Sequence, residues 1–392
     1  MKIASLKSIK NIKNKIVFLR VDFNVTLEAG KIKDDYRIIA GLETINYLLE
    51  KGARLIIASH LGEPEGKIEL AYSLKPVANR LKNLLKKPVK FIPGILGAKV
   101  TKALKTLTTG EILMLDNLRF NPGELTNDQI FAQELAKLAD IYVCDAFSVS
   151  HRDQASISAI KKYLPSYAGL LLEKEISALN KILKPKKPLV LIMGGAKINT
   201  KAPLISKLYS SASHILLGGA LANNFFKFQK LEIGKSLFDN DSQPYVAKFF
   251  KSNKLSPKII LPLDVVVKTK KGIAQVRAPH DVKKDEHIFD IGPATISLYA
   301  HYIKSAQTLI WNGPMGKFEE ASFRQGTLSI ARLVASRAGG KAYGLIGGGE
   351  TVAALNLTKM AEYVDWISTA GGAMLSYLGG SKMPGLSKIV TR

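Results

Sequence analysis

Four apolar runs in the second half of the chain each end in a glycine cluster. They are Leu189–Met193 into Gly194-Gly195, Ile215–Leu217 into Gly218-Gly219, Tyr343–Ile346 into Gly347-Gly348-Gly349, and Trp366–Ala370 into Gly371-Gly372. A short apolar run that breaks into glycine and then into a helical pattern reads as a buried parallel strand feeding a helix. Glycine there lets the backbone approach a ligand closely, and the helix N-terminus that follows offers unpaired N–H groups to an anion. One such turn carries little weight, because tight strand–helix turns need glycine for geometry alone. Several turns at the carboxyl ends of strands in one sheet point to a nucleotide phosphate crevice. None matches the Walker pattern, which argues against an ordinary P-loop enzyme.

The first half alternates in the same manner. Strands are expected at 16–19, 55–58, 112–115 and 141–143, with helical spacing of apolar residues over 38–51, 74–86 and 129–138. A second series begins at Leu189, after Lys184-Pro185-Lys186-Lys187-Pro188, and 168–183 reads as one amphipathic helix between the two. A chain of 392 residues is long enough for two cores. The expected fold is therefore α/β, with two doubly wound parallel-sheet, Rossmann-like domains joined by a hinge helix and a ligand cleft between them.

A formal charge of +25 raises the question of nucleic acid. The lysines are spread in short pairs such as Lys86-Lys87, Lys186-Lys187 and Lys270-Lys271, without an arginine-rich block or zinc-finger spacing. A solvated basic surface that draws in small anions is the reading we adopt, with no specific nucleic-acid partner. No stretch approaches a membrane span, and the basic N-terminus lacks the apolar region of a secretion signal. The only cysteine, Cys144, sits in an apolar run and reads as a small buried residue. These features point to a cytoplasmic protein.

Polar residues at the strand ends of the first half complete the pattern. Arg20-Val21-Asp22-Phe23-Asn24 follows one strand and Arg37 opens the next helix; Ser59-His60-Leu61-Gly62 follows another. Asn117-Leu118-Arg119-Phe120 follows a third, and His151-Arg152 lies shortly after a fourth. An isolated arginine is best read as a surface ion pair. Recurrence at strand ends favours a shared pocket for a small polyanion, since guanidinium forks match phosphate and carboxylate. No GxGxxG with a downstream acidic residue follows the first strand, which argues against a nicotinamide-dependent dehydrogenase.

The motifs RVDFNV, SHLG, LRF, DAF…SHR, GGAK with a second lysine four positions on, DIGP, WNGPMG, GGGET and STAGGA occur in the order found in phosphoglycerate kinases. From about Val17 to Gly385 the chain resembles that family. The resemblance implies reversible phosphoryl transfer between 1,3-bisphosphoglycerate with ADP and 3-phosphoglycerate with ATP, using Mg2+, by a monomer that closes about a hinge. It implies an acid-binding domain of 1–168 with 376–392 and a nucleotide-binding domain of 169–375. Asp22, Phe23, Asn24, Arg37, His60, Gly62, Arg119 and Arg152 would hold 3-phosphoglycerate. Gly195, Lys197, Lys201, Gly219, Asn312, Pro314, Glu319, Gly348, Gly349, Glu350 and Thr351 would hold the nucleotide, with Glu350 at the metal. Arg37, Lys201 and the Gly371-Gly372 N–H groups would stabilise the transferring phosphoryl group. His60 is then a hydrogen-bond donor to substrate, and a structural histidine otherwise.

Some positions depart from the family pattern. Arginine usually follows SHLG; here it is Glu63. A carboxylate about 4 Å from a bound acid would cost roughly 4 kcal/mol at an effective dielectric near 20. Glu63 is thus expected to point away, to pair with a lysine, or to weaken acid binding. Glu350 replaces the metal aspartate, Ala370 a glycine and Lys317 an apolar residue, while Asp153 falls next to Arg152. A non-catalytic or moonlighting anion-binding protein on the same fold is the alternative that these changes motivate.

Overall fold

The computed structural model describes residues 2–251 and 254–391. It contains two six-stranded sheets, each parallel throughout. Across the first, the strands run Val89–Ile92, Ile112–Leu115, Arg54–Ala58, Ile16–Val21, Ile141–Asp145 and Ser166–Ala168. Across the second they run Ile259–Ile260, His214–Leu217, Leu189–Met193, Thr308–Asn312, Tyr343–Gly347 and Trp366–Ser368. Central strands such as Ile112–Leu115, Ile141–Asp145 and Leu189–Met193 are buried at every residue, as strands covered on both faces by helices must be.

In each sheet the connections wind outward in both directions from the first strand of the series, leaving a switch point where adjacent loops part. In the second sheet that point lies between Leu189–Met193 and Thr308–Asn312, whose register pairs Met193 with Asn312. Gly194-Gly195 and Gly313-Pro314 are therefore neighbours by topology. The indole of Trp311, fully buried beneath them, donates from Nε1 to Gly313 O at 2.9 Å and fixes the turn.

The expected helices form at Tyr36–Glu50, Lys75–Leu85 and Gln129–Ala136. In the first of these Ile38, Gly41, Ile45, Leu48 and Leu49 are buried along one stripe. The connecting helix spans Leu170–Leu183, and the residues before it, Ser166–Ala168, form the edge strand instead. The strand Val89–Ile92 and the helix Ala98–Lys105 were not legible: the strand is half exposed at the sheet edge and carries Lys90, so no continuous apolar run marks it. A three-stranded antiparallel sheet of Val265–Lys268, Ala274–Arg277 and His287–Ile291 also goes beyond simple alternation.

The chain divides into two compact units, residues 1–177 with 382–392, and 178–381. In the first, Val390–Thr391 pairs antiparallel with Lys2–Ile3, and Lys161 donates from Nζ to Pro384 O at 2.7 Å. Its core gathers Leu19, Ile45, Ile57, Leu81 and Val143. The core of the second gathers Ile192, Tyr299, Leu309, Trp311 and Ile346. Cys144 is buried and unbridged. Among the described residues no helix is long and apolar enough to cross a membrane.

Candidate functional site

In the first unit, the residues after the strand Ile16–Val21 divide between core and surface. Arg20 is fully buried: its Nε donates to Ser156 Oγ at 2.8 Å, and its Nη2 lies 3.8 Å from Glu124 Oε1. Its charge is satisfied inside the fold, so it is a buried structural arginine and not an exposed binding group. Phe23 likewise packs in the core, its main-chain N–H donating to Ser59 Oγ at 2.8 Å. Any contact it makes with a ligand is limited to its backbone.

Asp22, Asn24, Arg37, His60, Gly62 and Arg119 are linked in one network. Asp22 accepts from Arg37 Nη1 at 2.6 Å, from Ser148 Oγ, and from the Asn24 N–H at 3.0 Å. Asn24 Oδ1 accepts from the Gly62 N–H at 2.9 Å, and Gly62 O accepts from Arg119 Nη1 at 2.7 Å. Gly62 has φ +59°, and a Cβ there would stand 2.3 Å from the Tyr72 ring, so only glycine fits. Ser148 was not among the sequence candidates, although it lies just before the SHR motif.

The protonation states follow from this packing. Burial, together with the charges of Arg20, Arg119 and Arg37, holds His60 well below the usual imidazole range despite the opposing field of Asp22. The ring is therefore neutral near pH 7. Arg20 Nη2, which can only donate, lies 3.4 Å from His60 Nδ1, so the ring proton belongs on Nε2. Burial pushes Asp22 up, but His60, Arg37 and the hydrogen bonds from Ser148 and Asn24 outweigh it and hold the carboxyl below its usual range.

Glu63 does not point away from the arginines. Its Oε1 lies 2.7 Å from Arg119 Nη1 and 3.3 Å from Arg152 Nη1, so it bridges two arginines and, among the described residues, pairs with no lysine. Asp153, next to Arg152 in sequence, instead accepts from Asn127 Nδ2 at 2.9 Å.

The second unit builds its cluster from backbone. Gly195 has φ +78° and sits beside Lys201, whose Nζ is 3.3 Å from the place a Cβ would occupy. Gly219, with φ +60°, leaves no room for a Cβ, which would meet Gly195 N at 2.8 Å and Pro314 O at 2.9 Å. Gly348, with φ +100°, packs against Asn312, whose Nδ2 donates to Gly347 O at 2.6 Å. Thr351 Oγ1 accepts from the Gly313 N–H at 2.7 Å, so it ties two glycine turns together. Gly349 opens the helix Gly349–Leu357, with exposed Glu350 in its first turn. Gly371 precedes the helix Gly372–Leu378.

A cavity of about 370 Å³ opens between these turns, lined by Gly195, Gly219, Pro314, Glu319 and Glu350. Its apolar wall, which includes Phe226, Leu237 and Ile288, was not among the sequence candidates because apolar residues carry no positional signature. Lys197 is exposed on the loop after Gly195, whereas Lys201 is buried. Burial lowers the Lys201 ammonium from its usual value against the opposing field of Glu350. Lys317 neither reaches free into solvent nor stands alone beside the cavity. Its Nζ lies 2.5 Å from Glu320 Oε1 and 4.8 Å from the centre of the Phe289 ring. Ala370 is not among the residues of positive φ, so its methyl group brings no backbone strain.

The chain matches the family model described as phosphoglycerate kinase over residues 6–381. A phosphoglycerate kinase of Wolbachia sp. subsp. Drosophila simulans is 42% identical, covering 99% of each chain. One from Moorella thermoacetica is 43% identical over 95% of each. Among solved structures, phosphoglycerate kinase from Coxiella burnetii superposes with a TM-score of 0.85 at 39% identity, covering 98% of both chains. That from Pyrococcus horikoshii also gives 0.85, at 31% identity and 97% coverage.

Proposed function

We infer the roles of these residues from one premise: the chain belongs to the phosphoglycerate kinase family. It is a phosphotransferase that moves a phosphoryl group reversibly between ATP and the carboxylate of 3-phosphoglycerate. The finer assignments are ours. The acid is received in the first unit by Asp22, Asn24, Arg37, His60, Arg119 and Arg152, with Phe23 and Gly62 shaping the backbone around it. The nucleotide is received in the second by Gly195, Lys197, Lys201, Gly219, Asn312, Pro314, Glu319, Gly348, Gly349, Glu350 and Thr351. The observation that carries this reading is the contrast between guanidinium groups gathered at the strand ends of one unit and glycine turns beside a buried lysine in the other.

Mg2+ is the metal we expect with the nucleotide. Among the described residues no group of three or more acidic, histidine or cysteine side chains could cage an ion. A single carboxylate at the mouth of a phosphate crevice does suit Mg2+, which keeps waters and takes most of its ligands from phosphates. Glu350 would hold it, and the ion would neutralise phosphate charge.

The acid carboxylate is already a competent nucleophile, so no general base is needed. One of its oxygens bonds to the γ-phosphorus as the bond from phosphorus to the β,γ-bridging oxygen breaks, and the electron pair leaves on ADP. The protein's contribution is alignment and charge stabilisation. Neutral His60 donates from Nε2 to the acid, and Asp22 holds Arg37 in place. We assign to Arg37, to Lys201 and to the Gly371 and Gly372 N–H groups the stabilisation of charge that builds on the transferring group. We place the enzyme in the cytoplasm as a monomer without a specific nucleic-acid partner; its single buried cysteine and dispersed lysines support that. A coupled assay with 3-phosphoglycerate and Mg-ATP tests the reading: turnover is expected, and folded protein without turnover would refute it in favour of a non-catalytic anion binder.

A further inference from the structure

Glu63 does something that phosphoryl transfer does not require. One oxygen of its carboxylate reaches both Arg119 Nη1, at 2.7 Å, and Arg152 Nη1, at 3.3 Å. The three side chains together carry one positive charge where the two arginines alone would carry two. Their exposures differ sharply: the Arg119 side chain is 1% exposed and that of Glu63 58%. The guanidinium is fixed in the fold and the carboxylate lies over it from the solvent side. Arg119 Nη1 also donates to Gly62 O at 2.7 Å, while its buried Nε and Nη2 have no hydrogen-bond partner among the described residues. A buried guanidinium with two idle nitrogens is incompletely satisfied, and an anion is the group that would complete it.

We propose that Glu63 is a specificity-determining residue: an internal carboxylate that competes with the anionic end of the acid substrate for Arg119 and Arg152 and must leave them for the substrate to bind. The proposal rests on the reading that these arginines receive the acid. A phosphate dianion, with more charge and three acceptor oxygens, can displace a carboxylate from a guanidinium. A ligand bearing only a carboxylate meets an equal competitor and gains little. Glu63 therefore weakens binding of every acid and penalises the unphosphorylated one most.

Isothermal titration of the full chain with 3-phosphoglycerate, and separately with glycerate, tests this at fixed ionic strength. The forms compared are the parent, Glu63→Gln and Glu63→Ala, with folding checked by circular dichroism. Both variants are expected to bind 3-phosphoglycerate roughly tenfold more tightly, and the preference for 3-phosphoglycerate over glycerate is expected to narrow. A residue that merely positioned Arg119 would give weaker binding on removal. Unchanged or weaker binding of 3-phosphoglycerate therefore overturns the inference while leaving the kinase reading intact. Where the variants differ, Glu63→Gln decides, since it keeps the side chain's size. If no folded form binds 3-phosphoglycerate, both the substrate reading and this inference fall.

Discussion

At the strand ends of the first unit stand Arg37, His60, Arg119 and Arg152, held by side-chain contacts that run through Asp22, Asn24 and Glu63. At the strand ends of the second stand Gly195, Gly219, Gly348 and Gly371, all of positive φ, with Lys201 the one buried cation of the cluster among the described residues. The first cluster offers charge carried on side chains, and the second offers room and main-chain N–H groups. Side-chain charge can be edited one residue at a time, as Glu63 illustrates, because its neighbours re-pair. Backbone space cannot be edited in that way, because an added Cβ at Gly219 meets atoms that have nowhere to go.

The sharpest way to break this contrast is to remove one cation from each cluster. Arg37→Ala and Lys201→Ala are each expected to lower kcat by about 10³-fold, close to 4 kcal/mol, with the protein still folded. Steady-state kinetics beside a far-UV spectrum decides. Near-normal turnover in Lys201→Ala alone would mean that the backbone of the second cluster suffices for charge stabilisation.

The second comparison concerns pH, because each unit also buries an aspartate. Burial pushes Asp145 in the first and Asp290 in the second up to about 7. Below about pH 4 folded and unfolded states are both protonated and neither group matters. Between about 4 and 7 the folded state keeps a proton that the unfolded state releases, so stability falls as pH rises, by on the order of 4 kcal/mol for each group once both states are ionised. Denaturant titrations at pH 5 and pH 8 should show this loss, and Asp145→Asn and Asp290→Asn should each flatten it. A pH-independent stability in the parent would disprove the assignment.

The smallest effects separate two glycines within the second cluster. Gly219→Ala is expected to cost about 2 kcal/mol through positive φ and crowding, and to weaken ADP binding. Gly349→Ala, where nothing lies within 4 Å of the added methyl, should change stability by less than about 0.5 kcal/mol. Thermal melts with and without ADP measure both; equal losses in the two variants would show that backbone crowding is not what distinguishes them.

Much of the molecule was legible in advance for identifiable reasons. The strands Ile112–Leu115, Ile141–Asp145 and Leu189–Met193 are buried on both faces, so burial had to be written as unbroken apolar runs. Gly195, Gly219 and Gly348 could be found because a conformation that side chains avoid leaves a mark in composition. The edge strand Val89–Ile92 left none, since half its surface faces water. Arg20 and Arg119 look alike as arginines after or within strand ends. Yet Arg20 is spent on Ser156 and Glu124, while Arg119 keeps two buried nitrogens unpaired.

The order of residues alone determined that strands and helices alternate, that glycine punctuates the second series and charge the first, and that the chain resembles phosphoglycerate kinases. These are local properties, set by periodicity and by conformational preference over a few neighbouring residues. Partner choice was decided only in three dimensions. Whether Glu63 would meet solvent, a lysine or two arginines depends on which loops the sheet order makes adjacent, and Arg119 and Arg152 stand 56 and 89 positions away from it in the chain. Electrostatic pairing acts through space, so its outcome could be known only once the fold had set the distances.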